Sequence, residues 1–380
     1  MHYRKYIAGW EGSQPAGRAA GPAFIHADIA VSSPAEVNVM AMSAGKREMD
    51  NLQRLLALAK AEDLGSGDVT GELLPAELLA EARFVARQEL VFCGGMMLCA
   101  IAGAYDSAIA TDVAVGDGAS VAAGAALARW SGPARGVLAA ERVALNFIQR
   151  LCGIATLTRR YVDAAAAGAV AGAVAGAGVD AAAGAVSGAG VGAGAGGVAG
   201  AGAVAGAGAG AGVAILDTRK TTPGWRDLEK YAVRCGGGAN HRRGLYDAIL
   251  VKDNHLGVLA RAGSADPIGD LAARLADARC RLGPDGFIEM EVDTLEQFET
   301  ALKLPLDVIL LDNMTCEQML RAVAIRDAAG LRGRVKIEAS GGITLANIAA
   351  IAACGIERIS IGALTHSAPA ADIGLDVELA

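Results

Sequence analysis

The strongest constraint on the fold is the alternation of short apolar runs with helix-like segments in the second half of the chain. Six of these runs have the length and branched apolar content of strands. Such alternation predicts a parallel sheet, and this many units with apolar strand interiors favour a barrel of the triosephosphate isomerase type over two separate sheets. The predicted strands are 214–220, 248–253, 286–293, 307–313, 335–340 and 357–363, and the predicted helices include 266–281, 294–303, 315–329 and 344–354.

The rest of the chain divides by composition. An N-terminal stretch rich in Ala, Gly, Pro and Ser lacks periodicity, so we expect a disordered extension. A helical pattern from Met49, short apolar runs with intervening turns, and a later long helix predict a small strand-rich domain with a connecting helix. A segment of almost only Ala, Gly and Val predicts a flexible insertion. The expected divisions are 1–46 (extension), 47–163 (small domain and helix), 164–213 (insertion), 214–365 (barrel) and 366–380 (C-terminal segment).

Charge and cysteine usage narrow the classes of function. A formal net charge of −7 and a pI near 5.4 argue against a general nucleic-acid or membrane-surface binder, so a small-molecule ligand fits better. The seven cysteines are scattered and match neither zinc sites nor a disulfide scaffold. The N-terminus lacks a sustained apolar region, and no run has the bulky side chains of a membrane span. We expect a soluble, cytoplasmic protein.

Polar side chains recur where the predicted strands end. In parallel barrels the functional groups lie at the carboxyl ends of the strands, so this recurrence predicts an active or binding site at one mouth of the barrel. A single residue of this kind would more often be structural than functional. The residues concerned are Asp217, Thr218, Arg219, Lys220, Lys252, Asp253, Asn254, Glu291, Asp293, Asp312, Asn313, Ser340, Gly341, Gly342 and Gly362.

Several of the residues expected at this mouth are cationic, although the protein is acidic. Two unpaired cations about 6 Å apart repel by roughly 2 to 3 kcal/mol at an effective dielectric constant of about 20, so their grouping requires an anion. Arginine binds carboxylate and phosphate bidentately, which implies a ligand with several anionic groups. The alternative is internal ion pairing with Glu291 and Asp312. The cationic group comprises Arg219, Lys220, His241, Arg242 and Lys252.

Two small-residue loops follow the last two predicted strands. Ser340-Gly341-Gly342 and Gly362-Ala363 let backbone N–H groups approach phosphate oxygens, as in barrel phosphate sites. Glu291 and Asp312, on neighbouring strands, could hold Mg²⁺ or ribose hydroxyls. The sequence therefore favours a phosphorylated sugar as part of the ligand.

Long stretches of the sequence resemble the quinolinate phosphoribosyltransferases. The resemblance spans nearly everything from residue 49 onward. The N-terminal extension, the Ala/Gly insertion and extra residues near 263–285 depart from the family pattern. The stretches that carry it are EDLGSGDVT (62–70), ERVALNFIQRLCGIATLTRRYVD (141–163), ILDTRKTTPGWRDLEKYAVRCGGGANHRRGLYDAILVKDNH (215–255), EMEVDTLEQ (289–297), LLDNM (310–314), EASGGI (338–343) and ISIGALTHS (359–367).

The resemblance implies an incomplete α/β barrel preceded by a smaller α/β sandwich domain. It also implies a homodimer, or a higher homo-oligomer, in which each active site borrows a residue from its neighbour, and Arg142 matches that residue. The implied reaction joins the pyridine nitrogen of quinolinate to the ribose of phosphoribosyl pyrophosphate. Release of pyrophosphate and CO2 leaves nicotinate mononucleotide, on the de novo route to NAD.

The resemblance also assigns site residues. The carboxylates of quinolinate would meet Arg142, Arg219, Arg242 and Lys252, with His241 beside them and Thr218 at the pocket edge. The catalytic residues Lys220, Glu291 and Asp312 would face phosphoribosyl pyrophosphate, and Glu291 and Asp312 would hold Mg²⁺. The 5-phosphate would lie against Ser340, Gly341, Gly342, Ile361, Gly362 and Ala363.

Two other readings stay open at this point. A relative with the same barrel, such as a nicotinate phosphoribosyltransferase or the molybdenum-transport homologue, would keep the phosphate loops while altering the cation cluster. A non-catalytic binding protein could use the Ala/Gly insertion as an interaction segment. The cation cluster argues for a dicarboxylate against the first reading. Lys220, Glu291 and Asp312 weigh against the second.

Overall fold

The N-terminal part of the described chain is an antiparallel sheet covered by helices. The computed structural model describes residues 44–183, 212–252, 255, 258, 261 and 266–379. The helices are α1 (Lys46–Leu64), α2 (Gly95–Tyr105) and α3 (Ala134–Ala183), with a short 3₁₀ turn at Gly71–Leu73. The strands are β1 (Leu79–Ala86), β2 (Leu90–Val91), β3 (Ala110–Val113), β4 (Ser120–Val121) and β5 (Ala126–Pro133).

Alternation along β1 explains why this sheet covers a core. Ala82, Phe84 and Ala86 are buried, whereas Leu79 at the strand's start is exposed. Opposite Ala82 in the antiparallel register is Trp130 of β5, whose ring meets Phe84 edge-on at 4.8 Å between centroids. The pairing therefore buries one apolar face of the N-terminal sheet.

The last strand of the chain belongs to this first sheet. Strand β12 (Ile373–Leu379) pairs antiparallel with β1, placing Ile373 opposite Ala86 and Leu379 opposite Ala80. The four-stranded sheet therefore has the order β12-β1-β5-β3. The expected C-terminal segment, 366–380, therefore contributes a strand to the N-terminal sheet.

The second half of the chain forms a parallel sheet with the topology of an incomplete barrel. Six strands lie in the order β6-β11-β10-β9-β8-β7. A parallel bridge between Leu216 and Ala239 adds a further short segment beside β6, so the barrel stays open between Ala239 and β7. All six predicted strands are confirmed. They are β6 (Ala214–Leu216), β7 (Ile249–Val251), β8 (Ile288–Val292), β9 (Val308–Asp312), β10 (Lys336–Ser340) and β11 (Arg358–Ser360).

Helices follow most of these strands and cover the barrel. Two of them begin with capping boxes, in which Thr294 and Thr315 accept from the backbone N–H three residues later. The stacked rings of Phe147 and Trp225, 4.6 Å apart, join α3 to the barrel. The helices are α4 (Arg226–Cys235), α5 (Pro267–Arg279), α6 (Leu295–Ala301), α7 (Cys316–Ala328), α8 (Ile348–Ala352) and α9 (Ala363–His366).

Helix α3 is longer than the sequence pattern predicts. It continues to Ala183, about five turns past the expected end near Ala165. Gly168 lies against the backbone of Ala349 on α8, where a β-carbon would overlap the carbonyl group. The first part of the expected insertion therefore packs on the barrel. Most of the predicted extension, 1–43, and the remainder of the insertion, 184–211, lie outside the described residues. Among the described helices, none is both long and apolar enough to span a bilayer.

Candidate active site

The register of the parallel sheet brings the predicted site residues to one mouth. Asp312 lies opposite Ser340, and Glu291 lies opposite Leu310, two residues before Asp312. Because side chains two residues apart in a strand share a face, Glu291, Asp312 and Ser340 point to the same side of the sheet. The strand ends therefore supply carboxylates next to a small-residue loop.

Two arginines at this mouth are close enough for their charges to interact, and neither forms a salt bridge with a described carboxylate. Both Arg219 and Arg242 are half-buried, and burial together with the positive charge of Arg219 lowers the pKa of Arg242 below its usual range. The Nε atom of Arg219 is buried and has no hydrogen-bond partner within the described part of the chain. A like-charged, partly desolvated pair of this kind is a preformed site for an anion with two negative groups.

Hydrogen bonds from side chains of α4 fix the loop that carries Arg219. Arg226 donates from Nη2 to the carbonyl oxygen of Arg219 (3.4 Å) and from Nε to the hydroxyl of Thr221 (3.0 Å). Buried Glu229 accepts from the backbone N–H of Thr222 at 3.1 Å and from its hydroxyl at 2.8 Å. The loop is thus pre-positioned by α4, and its cations need little ordering on ligand binding.

His241 lies deeper, above two buried carboxylates that the sequence analysis did not single out. Its Nε2 atom is 2.9 Å from Oε2 of Glu289 and 3.4 Å from Oε1 of Glu338. Arg358 donates to the other oxygen of Glu338 at 2.6 Å. The pattern Glu-Met-Glu at 289–291 could have identified Glu289, because alternation puts it on the same face as Glu291.

The protonation of His241 follows from its contacts. Burial disfavours a charged ring at His241, whereas the carboxylates of Glu289 and Glu338 near Nε2 favour one and raise its pKa. A cationic ring would carry a proton on Nδ1 as well, but Nδ1 accepts the backbone N–H of Arg242 at 2.8 Å. Two facing protons at that distance would repel, so this contact opposes protonation of the ring. The ring is assigned as the neutral Nε2–H form, and burial correspondingly raises the pKa of Glu289.

A fully buried ion pair supports the backbone of His241. Lys230 pairs with Asp217, and both side chains are inaccessible to solvent. Asp217 accepts the backbone N–H of His241 at 2.9 Å, and Lys230 donates to its carbonyl oxygen at 3.0 Å. Asn240 adds a further contact to Asp217 at 2.6 Å. Lys230 sits within a helical pattern and gives no sequence signal of this role.

One predicted cation is already paired. Nζ of Lys252 lies 2.5 Å from Oε2 of Glu291, with 42% and 20% of the two side chains exposed. Internal pairing, the alternative left open by the sequence, therefore applies to Lys252. Arg219 and Arg242 have no such partner among the described residues. Lys252, a predicted ligand-binding cation, is therefore in direct contact with Glu291, a candidate metal ligand.

The glycine loops form the opposite part of the mouth. Gly341 and Gly342 have φ values of 84° and 61°, and a β-carbon at Gly341 would overlap the side-chain amide of Asn313. Gly362 lies against the side chain of exposed Lys220. Ile361 does not fit the predicted phosphate role: its side chain is buried and its N–H donates to the carbonyl oxygen of Leu216 at 2.9 Å.

The other predicted residues differ in their surroundings. The hydroxyl of Thr218 accepts the N–H of Lys220 at 3.0 Å, which tightens the cationic loop. Ala363 begins α9 beside Gly362. Arg142 is exposed on α3 and makes no hydrogen bond or ion pair with another described residue. A single chain therefore does not bring Arg142 into the cation cluster.

The described residues offer candidate metal ligands of different donor chemistry. Glu291 and Asp312 offer hard carboxylate oxygens at the open mouth, which suits Mg²⁺. A second group, Cys93, Asp117 and Cys235, is fully buried, and Asp117 is saturated by the N–H groups of residues 94 and 95 and by Tyr231. Burial raises the pKa of the Cys93 thiol well above its usual range, so this thiol stays protonated and is a poor metal ligand.

Comparison with known proteins gives the same family for both halves of the chain. The model described as the quinolinate phosphoribosyl transferase C-terminal domain matches residues 200–376, and the N-terminal domain model matches residues 68–152. A probable nicotinate-nucleotide pyrophosphorylase (carboxylating) of Bacillus subtilis (strain 168) is 35% identical over 328 residues, covering 86% of this chain and 94% of its own. A quinolinate phosphoribosyltransferase (decarboxylating) of Nicotiana tabacum is 32% identical over 344 residues, covering 87% and 84%.

Solved structures agree in fold. A nicotinate-nucleotide pyrophosphorylase from Francisella tularensis superposes with a TM-score of 0.67 at 32% identity, covering 87% of this chain and 96% of its own. The corresponding protein from Ehrlichia chaffeensis gives a TM-score of 0.65 at 31% identity, covering 86% and 98%. With both domain models matched and relatives above 30% identity along most of its length, the chain belongs to the quinolinate phosphoribosyltransferase family.

Proposed function

We propose that the protein converts quinolinate and phosphoribosyl pyrophosphate into nicotinate mononucleotide, pyrophosphate and CO2, as a pentosyltransferase of de novo NAD synthesis. The observation that carries this proposal is that Arg219 and Arg242 are both half-buried and near each other, and that the buried Nε of Arg219 has no hydrogen-bond partner among the described residues. Two half-buried guanidinium groups without a counter-ion match two adjacent carboxylates, and a monocarboxylate such as nicotinate would leave one of them unpaired.

A small number of residues contact quinolinate in this proposal. Arg219 and Arg242 hold the two ring carboxylates, and Lys252 joins them after leaving Glu291. Thr218 closes the pocket edge through its contact with the Lys220 backbone. Arg142 completes the pocket of the partner subunit in a homodimer, because it is exposed and has no ion-pair partner among the described residues of its own chain. Each contact orients the pyridine nitrogen toward the sugar site.

The phosphoribosyl side uses the carboxylates and the glycine loops. Gly341 and Gly342 offer backbone N–H groups to the 5-phosphate, with Ser340, Gly362 and Ala363 around them. Lys220, beside Gly362, neutralises charge on the pyrophosphate. Glu291 and Asp312 would hold Mg²⁺, which when bound supplies charge neutralisation for the leaving pyrophosphate.

The chemistry needs positioning and charge stabilisation more than acid–base groups. The pyridine nitrogen attacks the anomeric carbon as the bond to pyrophosphate breaks, and the arginines keep the ring aligned during this step. The new positive charge on the ring nitrogen then stabilises the electrons released when the neighbouring carboxylate leaves as CO2. The ring carbon that loses CO2 takes up a proton from water to complete nicotinate mononucleotide, while the cationic side chains of Arg219 and Arg242 hold the ring in place.

The test is a substrate comparison. Purified protein is mixed with phosphoribosyl pyrophosphate, Mg²⁺ and either quinolinate or nicotinate, and nicotinate mononucleotide and CO2 are measured. Product from quinolinate with none from nicotinate supports the proposal. Product from nicotinate would move the activity to the sister enzyme, and no product from a folded dimer would favour a binding protein.

A further inference from the structure

Every polar atom of His241 is already engaged within the protein. The backbone N–H donates to Asp217 at 2.9 Å, and the carbonyl oxygen accepts from Lys230 at 3.0 Å. On the ring, Nδ1 accepts the N–H of Arg242 at 2.8 Å, and Nε2 faces Glu289 at 2.9 Å. The side chain therefore has no free donor or acceptor for a ligand.

The ring is also fixed in orientation. Phe287 meets it nearly edge-on, at 5.4 Å between centroids and 76° between planes. Only 8% of His241 is exposed. Neither oxygen of Glu289 has a hydrogen-bond partner among the described residues, and the Nε2 atom of His241, 2.9 Å from Oε2, is a close polar neighbour that turning the ring would remove. Rotation of His241 toward the mouth is thus energetically opposed.

A metal ion does not explain the buried group of His241, Glu289 and Glu338, although their ligand atoms lie within 4.8 Å of one another. Because Nδ1 accepts a hydrogen bond, the single proton of the neutral ring must sit on Nε2, the atom that faces the carboxylates. A protonated nitrogen has no lone pair for a cation. The arrangement suits an Nε2–H held between two acceptors.

We propose that His241 is a positioning residue for Arg242 and does not contact quinolinate itself. Glu289 and Glu338 hold Nε2, and Nδ1 then fixes the backbone N–H of Arg242 so that its guanidinium stays opposite Arg219. His241, buried beside two carboxylates, thereby sets the distance between Arg219 and Arg242, which bind the carboxylates of the ligand. This inference rests on the proposed function, since the anion at the pair is a dicarboxylate.

A double-mutant cycle separates positioning from direct contact. The probe is phthalate, which has the two adjacent carboxylates of quinolinate but no ring nitrogen to react, and its binding is measured by calorimetry. His241→Asn and Arg242→Ala each weaken binding by about tenfold or more, the loss of one charge-assisted contact. In the Arg242→Ala background, His241→Asn should cause no further loss. Losses that multiply would show an independent contact and overturn the proposal.

A matched pair at Glu289 covers the case in which the histidine variant does not fold. Glu289→Gln keeps an acceptor opposite Nε2, and Glu289→Leu buries an apolar side chain of similar size without one. We expect phthalate affinity within about twofold of wild type for the glutamine variant and a loss like that of His241→Asn for the leucine variant. Equal affinities of folded Gln and Leu variants would refute a role for the Nε2 contact. Glu378→Gln, in the sheet distant from the mouth, is the control for charge loss.

Nitrogen NMR of the histidine rings gives a readout that does not depend on activity. The protein has five histidines, and the His241 signals are those lost in His241→Asn. The proton should reside on Nε2, with and without phthalate. A proton on Nδ1, or a tautomer change on adding phthalate, would overturn the proposal. If the two substitutions are non-additive in phthalate binding but the wild type does not turn over quinolinate, only the proposed function is refuted. If the wild type does not bind phthalate, both the proposed function and the role of His241 are refuted.

Discussion

The ion pair between Lys252 and Glu291 makes a testable prediction about ligand competition. Quinolinate must take Lys252 from Glu291, whose Oε2 lies 2.5 Å from Nζ. Unit charges 4 Å apart attract by about 4 kcal/mol at an effective dielectric constant near 20, but measured pairs open to solvent contribute about 0.2 to 1 kcal/mol. Because 42% of the Lys252 side chain is exposed, we take about 1 kcal/mol. Glu291→Gln should therefore bind phthalate about fivefold more tightly while turning over quinolinate more slowly.

The assay is calorimetric titration of phthalate into wild type and variant, without phosphoribosyl pyrophosphate or Mg²⁺. Glu378→Gln removes one carboxylate from a distant exposed pair and controls for net charge. The gain should shrink as salt is raised, because the released pair is partly solvent-screened. Unchanged or weaker phthalate binding in a folded Glu291→Gln variant would refute the reasoning, since it would mean that Glu291 does not compete for Lys252.

Further predictions concern other parts of the molecule. Lys252→Ala should abolish turnover of quinolinate with an unchanged thermal midpoint; near-wild-type kcat/KM would contradict its assignment. Mixed dimers of Arg142→Ala with Lys252→Ala should regain part of the activity, and no recovery in verified mixed dimers would count against shared sites. Replacing 184–211 by a Gly/Ser sequence of equal length should leave kcat within about twofold, because the segment joins the barrel opposite its mouth. The charge of Arg358 and hydrogen bonding lower the pKa of Glu338 below its usual value of 4.5 despite burial, so wild type should exceed Glu338→Gln in free energy of unfolding above pH 4.5. Chemical denaturation should show that difference declining as pH falls below 4.5, and a constant difference would argue against ionised Glu338.

Much of the barrel could be predicted because its signals are local. Strands of three to five residues bounded by polar ends, such as Val308–Asp312, carry apolar runs that a single sequence reveals. The same ends carry Arg219 and Glu291, so strand prediction and site prediction reinforce each other. The short bridge at Ala239 could not be found this way, because one residue of pairing leaves no pattern.

The supporting residues were harder to predict. Glu289 and Lys230 are fully buried charges, and composition favours placing such residues on a surface. Their burial depends on partners distant in sequence: His241 lies 48 residues from Glu289, and Asp217 lies 13 from Lys230. Likewise, Ala and Gly give α3 no bulky face, yet the small residue at 168 lets the helix approach α8 closely. These features arise from tertiary contact, which propensity does not encode.

The pairing of β12 with β1 gives synthesis of this protein a particular order. During translation the barrel strands emerge after β1 and before β12, so the first sheet waits with one edge unpaired while most of the chain is made. The edge of β1 between Ala80 and Ala86 is satisfied only when residues 373–379 leave the ribosome. A nascent chain halted before residue 373 should expose this edge to chaperones, whereas a chain that includes residues 373–379 can pair it.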